Sequence, residues 1–122
     1  MKNKTIALLG IALMGGLPTF AQKNKVTSAY NYDRSFKRDK DCSELKKGIA
    51  AIEEAANNAS TSAWPKTYYY GGNLYFGALT VAPKECRESI PNALEKSMEF
   101  YLKMVKFNIE ENAKVASANL ST

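Results

Sequence analysis

Three kinds of residue grouping in this chain could carry chemistry: neighbouring carboxylates, two cysteines and a pair of adjacent glycines. Glu53-Glu54, Glu110-Glu111 and Glu85 with Glu88 are the carboxylate pairs. A working acid pair needs one carboxyl held neutral beside an ionised one, which takes burial or a shared proton. These pairs sit on charged, helix-patterned stretches, the signature of a solvated face. The chain has no histidine, so it lacks the commonest general base and metal ligand. Helical zinc motifs and His-dependent triads are thereby excluded. Cys42 and Cys86 stand more than forty residues apart, too far for a redox CxxC pair or a zinc knuckle. Gly71-Gly72 lacks the preceding strand and trailing Lys-Ser/Thr of a phosphate loop. The inventory implies a protein that is not an enzyme and uses no cofactor or metal.

The elements that would position these residues begin after an export-type leader. Lys2 and Lys4 precede an apolar run from Ile6 to Leu17, Pro18 breaks it, and Thr19-Phe20-Ala21 offers small residues before Gln22. That is the pattern of a cleaved secretory signal over residues 1–21, and the apolar run is too short for a typical membrane span. Its removal takes two lysines and no acid, lowering the formal charge from +5 to +3. So small an excess on the remaining chain argues against a nucleic-acid partner. One domain is expected over residues 22–122. In an oxidising compartment Cys42 and Cys86 could bridge, and a loop of that size would add roughly 3–4 kcal/mol. Sequence alone leaves the bridge open.

Along this region the apolar period is helical. Ala29, Tyr32 and Phe36 recur at three and four, followed by a charged stretch, Asp33 to Asp41, that reads as a solvated turn. Asp41 with Glu44 fits a helix start. Leu45, Ile49, Ile52 and Ala56 then form an apolar stripe, with Gly48 and Ala55 as small contact residues beside it. Asn57 to Ser62 breaks that helix, and Pro65 suits the first turn of the next. Lys66 to Phe76 then holds five of the chain's twelve Tyr and Phe residues around Gly71-Gly72. Two aromatic runs about a glycine turn also fit a β-hairpin. No other segment alternates like a strand, so the stretch is read as a helix. Its glycines, each costing roughly 0.5–1 kcal/mol in a helix interior, then imply close approach of a neighbour. Residues 78–90 lack a period and read as a long loop. Leu94, Met98, Tyr101 and Val105 form the stripe of a helix opened by Pro91, and Ile109, Ala113, Ala116 and Leu120 a last short one. The fold class is all-α.

Tyr68, Gly71-Gly72 and Tyr75 on one helix, with Ser97, Tyr101 and Met104 on its partner, resemble the signature of the tetratricopeptide repeat (TPR). Ala29 and Tyr32, with Gly48, Ile52 and Ala55, repeat that set upstream. Together with the leader, the chain resembles short exported TPR proteins of Bacteroidetes-type bacteria. It departs from the pattern in having Tyr68 for Trp, Gly71 for Leu and a large Met104 at a small position. The resemblance implies a short right-handed solenoid of helical hairpins. Repeat 1 would span 25–60, and repeat 2 would span 65–107 with an inserted loop at 78–90. Residues 108–120 would be a terminal helix or the start of a truncated third repeat.

The family's concave groove, carried onto this chain, falls on Lys66, Tyr69, Asn73 and Phe76. The resemblance therefore implies a periplasmic or envelope scaffold that binds another protein or peptide through these residues. An uncapped terminal helix would invite a homodimer. Two other readings are a small helical protein holding an apolar ligand among Tyr68, Tyr70 and Tyr75, and a truncated relative of a longer TPR protein.

Overall fold

The computed structural model describes residues 20–120, so most of the expected leader, residues 1–19, lies outside the described residues. Five helices make up the described chain: α1 Phe20–Asp39, α2 Cys42–Ala56, α3 Pro65–Thr80, α4 Lys84–Glu88 and α5 Ala93–Leu120. No strand occurs among the described residues, so the aromatic stretch is helix α3 and the hairpin alternative falls.

Local chemistry sets the boundaries. Lys40 takes a left-handed φ of 59° and its N–H closes onto the Phe36 carbonyl at 2.7 Å, ending α1. Asp41 then caps α2, its carboxylate accepting from the Ser43 N–H at 2.9 Å. The link from α2 to α3 is held by three side chains that donate to backbone carbonyls. Thr61 donates to Ala55, Thr67 to Thr61, and Tyr68 to Ser62. Buried carbonyls of a loop need such partners, which is why fully buried Thr61 and Thr67 are tolerated there.

Helix α3 is the centre: α5 packs along it, and α1 and α2, themselves a close pair, pack against its other sides. Its paired glycines answer to two aromatic rings of α5. A Cβ on Gly71 would stand 1.8 Å from the Phe100 ring, and one on Gly72 would stand 2.5 Å from the Tyr101 ring. Between α1 and α2, Gly48 serves the same end, its missing Cβ making room for Tyr32 and for Leu74 of α3. Val26, Phe36, Leu45, Ile52, Leu74 and Phe100 fill the interior.

Four expectations need correction, and the cysteine pairing left open by the sequence is answered. Residues 78–90 are not a featureless loop: 78–80 finish α3, and α4 carries the buried Cys86. Cys42 and Cys86 are bonded, with Cα atoms 5.6 Å apart, so the bridge pins α4 to the start of α2. Residues 108–120 are not a separate helix but the continuation of α5. Finally, α5 is turned from the face its apolar stripe suggests. Ala93, Ser97 and Phe100 face inward, with Met104 and Phe107 partly covered, while Leu94, Met98 and Val105 are exposed. Small Ala93 and Ser97 let the backbones of α3 and α5 approach, which the bulkier stripe would prevent. The charged stretch Asp33–Asp41 is likewise not all a solvated turn, because Asp33 lies buried on α1.

Candidate functional site

The solvent face of α3 is its most distinctive surface. Lys66, Tyr69, Asn73 and Phe76 follow at three, four and three residues and so share one side of the helix. Tyr69 and Phe76 are 47% and 52% exposed, although α3 is otherwise deeply packed, which makes them aromatic area left open rather than core. Between them Asn73 is half-buried, and its Oδ1 accepts a hydrogen bond from the Tyr101 hydroxyl at 2.5 Å. The amide is thus fixed in orientation, with Nδ2 left to donate elsewhere. Lys66 lies over the Trp64 ring, as does Lys23 of α1, so the lysine extends toward the N-terminal end of α3.

Helix α1 borders this face with Tyr30, Asp33 and Arg34. The rings of Tyr69, Tyr70 and Tyr30 form a chain with centroids 5.4 and 5.1 Å apart, ending beneath the Arg34 guanidinium. Asp33 was missed in the sequence because charged neighbours hide it. It is 6% exposed, its Oδ2 accepts from Lys37 at 3.0 Å, and its Oδ1 has no partner among the described residues. Burial pushes the Tyr101 hydroxyl up, helped by nearby Tyr69 and Asp33, so it stays a donor to Asn73 well above neutral pH. The face combines two open aromatics, one oriented amide and one buried acceptor. It offers apolar area with a few fixed hydrogen-bonding points and no nucleophile beside a base.

The residues matched to the repeat signature lie in the contacts between helices. Ala29, Gly48, Ile52, Ala55, Tyr68, Gly72, Tyr75 and Ser97 are buried, and Tyr32 and Tyr101 are half-buried. Ser97 donates to the Gly72 carbonyl at 3.1 Å, and Tyr68 and Tyr75 each meet Phe100 edge-on with centroids 5.6 Å away. Tyr70 lies instead against Tyr30, so Tyr68, Tyr70 and Tyr75 do not ring a common cavity. A different cleft of about 360 Å³ opens beside Ile49, Tyr75, Ile90 and Pro91, with Lys46 and Lys96 at its rim.

The Glu53-Glu54 pair is divided between separate tasks. Glu53 accepts from the Tyr75 hydroxyl at 2.7 Å and pairs with Lys96 at 3.1 Å, joining α2, α3 and α5. Its neighbour Glu54 pairs with Lys25 of α1 at 2.8 Å. Burial, then the bond to Glu53, holds Tyr75 far above the usual tyrosine range. Among the described residues no group of three or more His, Cys, Asp or Glu could hold a metal ion. No helix among them is long and apolar enough to cross a membrane. Comparison with protein-family models, with curated proteins and with solved structures gives no match.

Proposed function

We propose that the protein is a non-catalytic, TPR-like binding module of the bacterial envelope, and that α3 presents Tyr69, Asn73 and Phe76 to a peptide or protein segment. The observation that carries this is the pair of half-exposed aromatics flanking an amide whose carbonyl oxygen is already held by Tyr101. Exposed aromatics supply apolar area with little rotamer entropy to lose, and an oriented amide reads a partner's backbone. Support for the solenoid comes from the packing order: α1 on α2, α2 and α1 on α3, and α3 on α5. In this reading each hairpin stacks on its neighbour and leaves the first helices to line the groove. The leader pattern of residues 1–21 supports export.

Asp33 beside this face is buried and its unpartnered Oδ1 has no solvent access, so recognition falls to the open aromatics and the Asn73 amide. The test is a peptide array, followed by titration of the best binder into purified protein. Tyr69→Ala and Phe76→Ala should each weaken binding by at least tenfold while leaving the helical spectrum unchanged. Affinity that ignores both substitutions would overturn the groove.

The second reading is an amphipathic ligand in the cleft formed by Ile49, Tyr75, Ile90 and Pro91, favoured by its apolar floor and lysine rim. A fatty-acid titration that is sensitive to Ile49→Glu, and not to Phe76→Ala, would select it.

A further inference from the structure

The disulfide ties together the two walls of the cleft beside Ile49 and Tyr75. On α2, Cys42 stands one helical turn before Lys46, and Ile49 and Ala50 continue that wall a turn further on. On the other side Cys86 precedes Ser89, Ile90, Pro91 and Asn92, which form the opposite wall. Little else holds this second wall to the body. Of residues 83–92 only Cys86 and Ile90 are buried, and α4 packs sparsely on α3. The segment ends at Asn92, whose left-handed φ of 58° turns the chain into α5.

The bond is also within reach of solvent. Cys42 and Cys86 both line an open hollow of about 340 Å³, with Lys46, Glu85 and Ser89 around them. The two sulfurs are placed differently. Cys42 is half-buried, whereas Cys86 is buried on α4. Cys42 is the first residue of α2, where the free N–H groups of the helix favour a negative sulfur. The Asp41 carboxylate beside it is spent on the Ser43 N–H and hydroxyl, both 2.9 Å away. A reachable sulfur that is stable as a thiolate is one that exchanges.

We propose that this bridge is a thiol–disulfide exchange site whose substrate is a dithiol, and that its reduction frees residues 83–92 from α2. In the first step a thiolate of the dithiol bonds to Cys42 Sγ, the bond to Cys86 breaks, and Cys86 leaves and takes up a proton. In the second the reductant's other thiol gives its proton to water and bonds to its own first sulfur. Cys42 then leaves as a thiolate at the amino end of α2. The dithiol is oxidised to its disulfide and the bridge is reduced by the same two electrons. With the bridge open the walls of the cleft part. Helices α1, α2, α3 and α5 keep their packing, because Phe36, Leu45, Ile52, Leu74 and Phe100, all fully buried, lie outside the freed segment. This assignment rests neither on a ligand in the cleft nor on the face of α3.

Purified oxidised protein is treated with dithiothreitol in native buffer, and free thiols are counted by alkylation and mass. The reduction rate should rise in proportion to dithiothreitol concentration and exceed the rate of global unfolding at least about tenfold. In the reduced protein, hydrogen exchange across 84–92 should quicken about tenfold or more, while 97–107 stays within about twofold and the helical spectrum is kept. A short pulse of iodoacetamide on the reduced protein should label Cys42 about fivefold faster than Cys86. Reduction that never outruns unfolding, or a reduced chain that loses its helices, makes the bond a structural staple and overturns the proposal. Unchanged exchange across 84–92 overturns the release of the segment. Labelling of Cys86 as fast as Cys42 overturns the role given to Cys42.

Discussion

The two hairpins of this protein solve the same packing problem with different consequences. In the first, α1 and α2 meet where Ala29 and Tyr32 face Gly48, the link is Lys40-Asp41, and the apolar residues of α2 turn inward. In the second, α3 and α5 meet through Gly71, Gly72 and Ser97, but the link carries α4 and a disulfide, and α5 continues past the body it packs on. The first hairpin is consumed by the core. The second contributes to the core and also offers two free surfaces, the aromatic face of α3 and the outer stripe of α5. Close approach on one side of a helix leaves its other side available, and the glycines make that approach possible.

Substitutions can separate the two hairpins. Removing the bridge with Cys42→Ser and Cys86→Ser should cost most, about 3–4 kcal/mol, because it releases the long loop. Denaturant unfolding would measure it, and a loss below about 1 kcal/mol would mean that packing alone holds α4. Gly71→Ala should come next, at about 2 kcal/mol. The new methyl meets the Phe100 ring, which is buried between Tyr68 and Tyr75 and cannot move aside. Gly48→Ala should cost less, since its nearest obstacle is the end of a flexible leucine side chain. Equal losses at the two glycines would erase the distinction between the hairpins.

The tyrosines add a pH dependence that belongs to the second hairpin. Burial raises Tyr68, Tyr75 and Tyr101 above their ordinary value of 10, so the folded chain keeps protons that the unfolded chain releases. Stability from this source is complete below about pH 10 and falls as pH rises further. In Tyr75→Phe the fall in melting temperature between pH 9 and 11 should be shallower than in the parent. An unchanged slope would place the effect elsewhere. The smallest effect is a gain in the first hairpin. Lys40→Gly relieves a left-handed backbone and should stabilise by about 0.5–1 kcal/mol.

Much of the fold is legible in the sequence because its signals are local. Pro65, Asp41 and the Asn57–Ser62 break mark helix ends through backbone chemistry that acts over a few residues. Gly71-Gly72 announces a close neighbour because nothing else excuses two helix-interior glycines. What the sequence hides depends on the partner. The outer stripe of α5 is more apolar than the inner one, so periodicity chooses the wrong face. Asp33 sits among charges that mask its burial. Helix α4 is too short to show a period, and its place is fixed by Cys42 across the fold. On α3, Tyr69 and Phe76 lie on the exposed side, while the Tyr101 bond that orients Asn73 comes from a helix distant in sequence.

The contrast between the spent hairpin and the one with free faces is sharpest along α5, and hydrogen exchange reads it directly. Amides of residues 93–107 should be protected at every protein concentration, because the body covers them. Amides of 108–120, where every residue is exposed, should exchange far faster than those of 93–107. Protection across 108–120 equal to that across 93–107 would contradict the account.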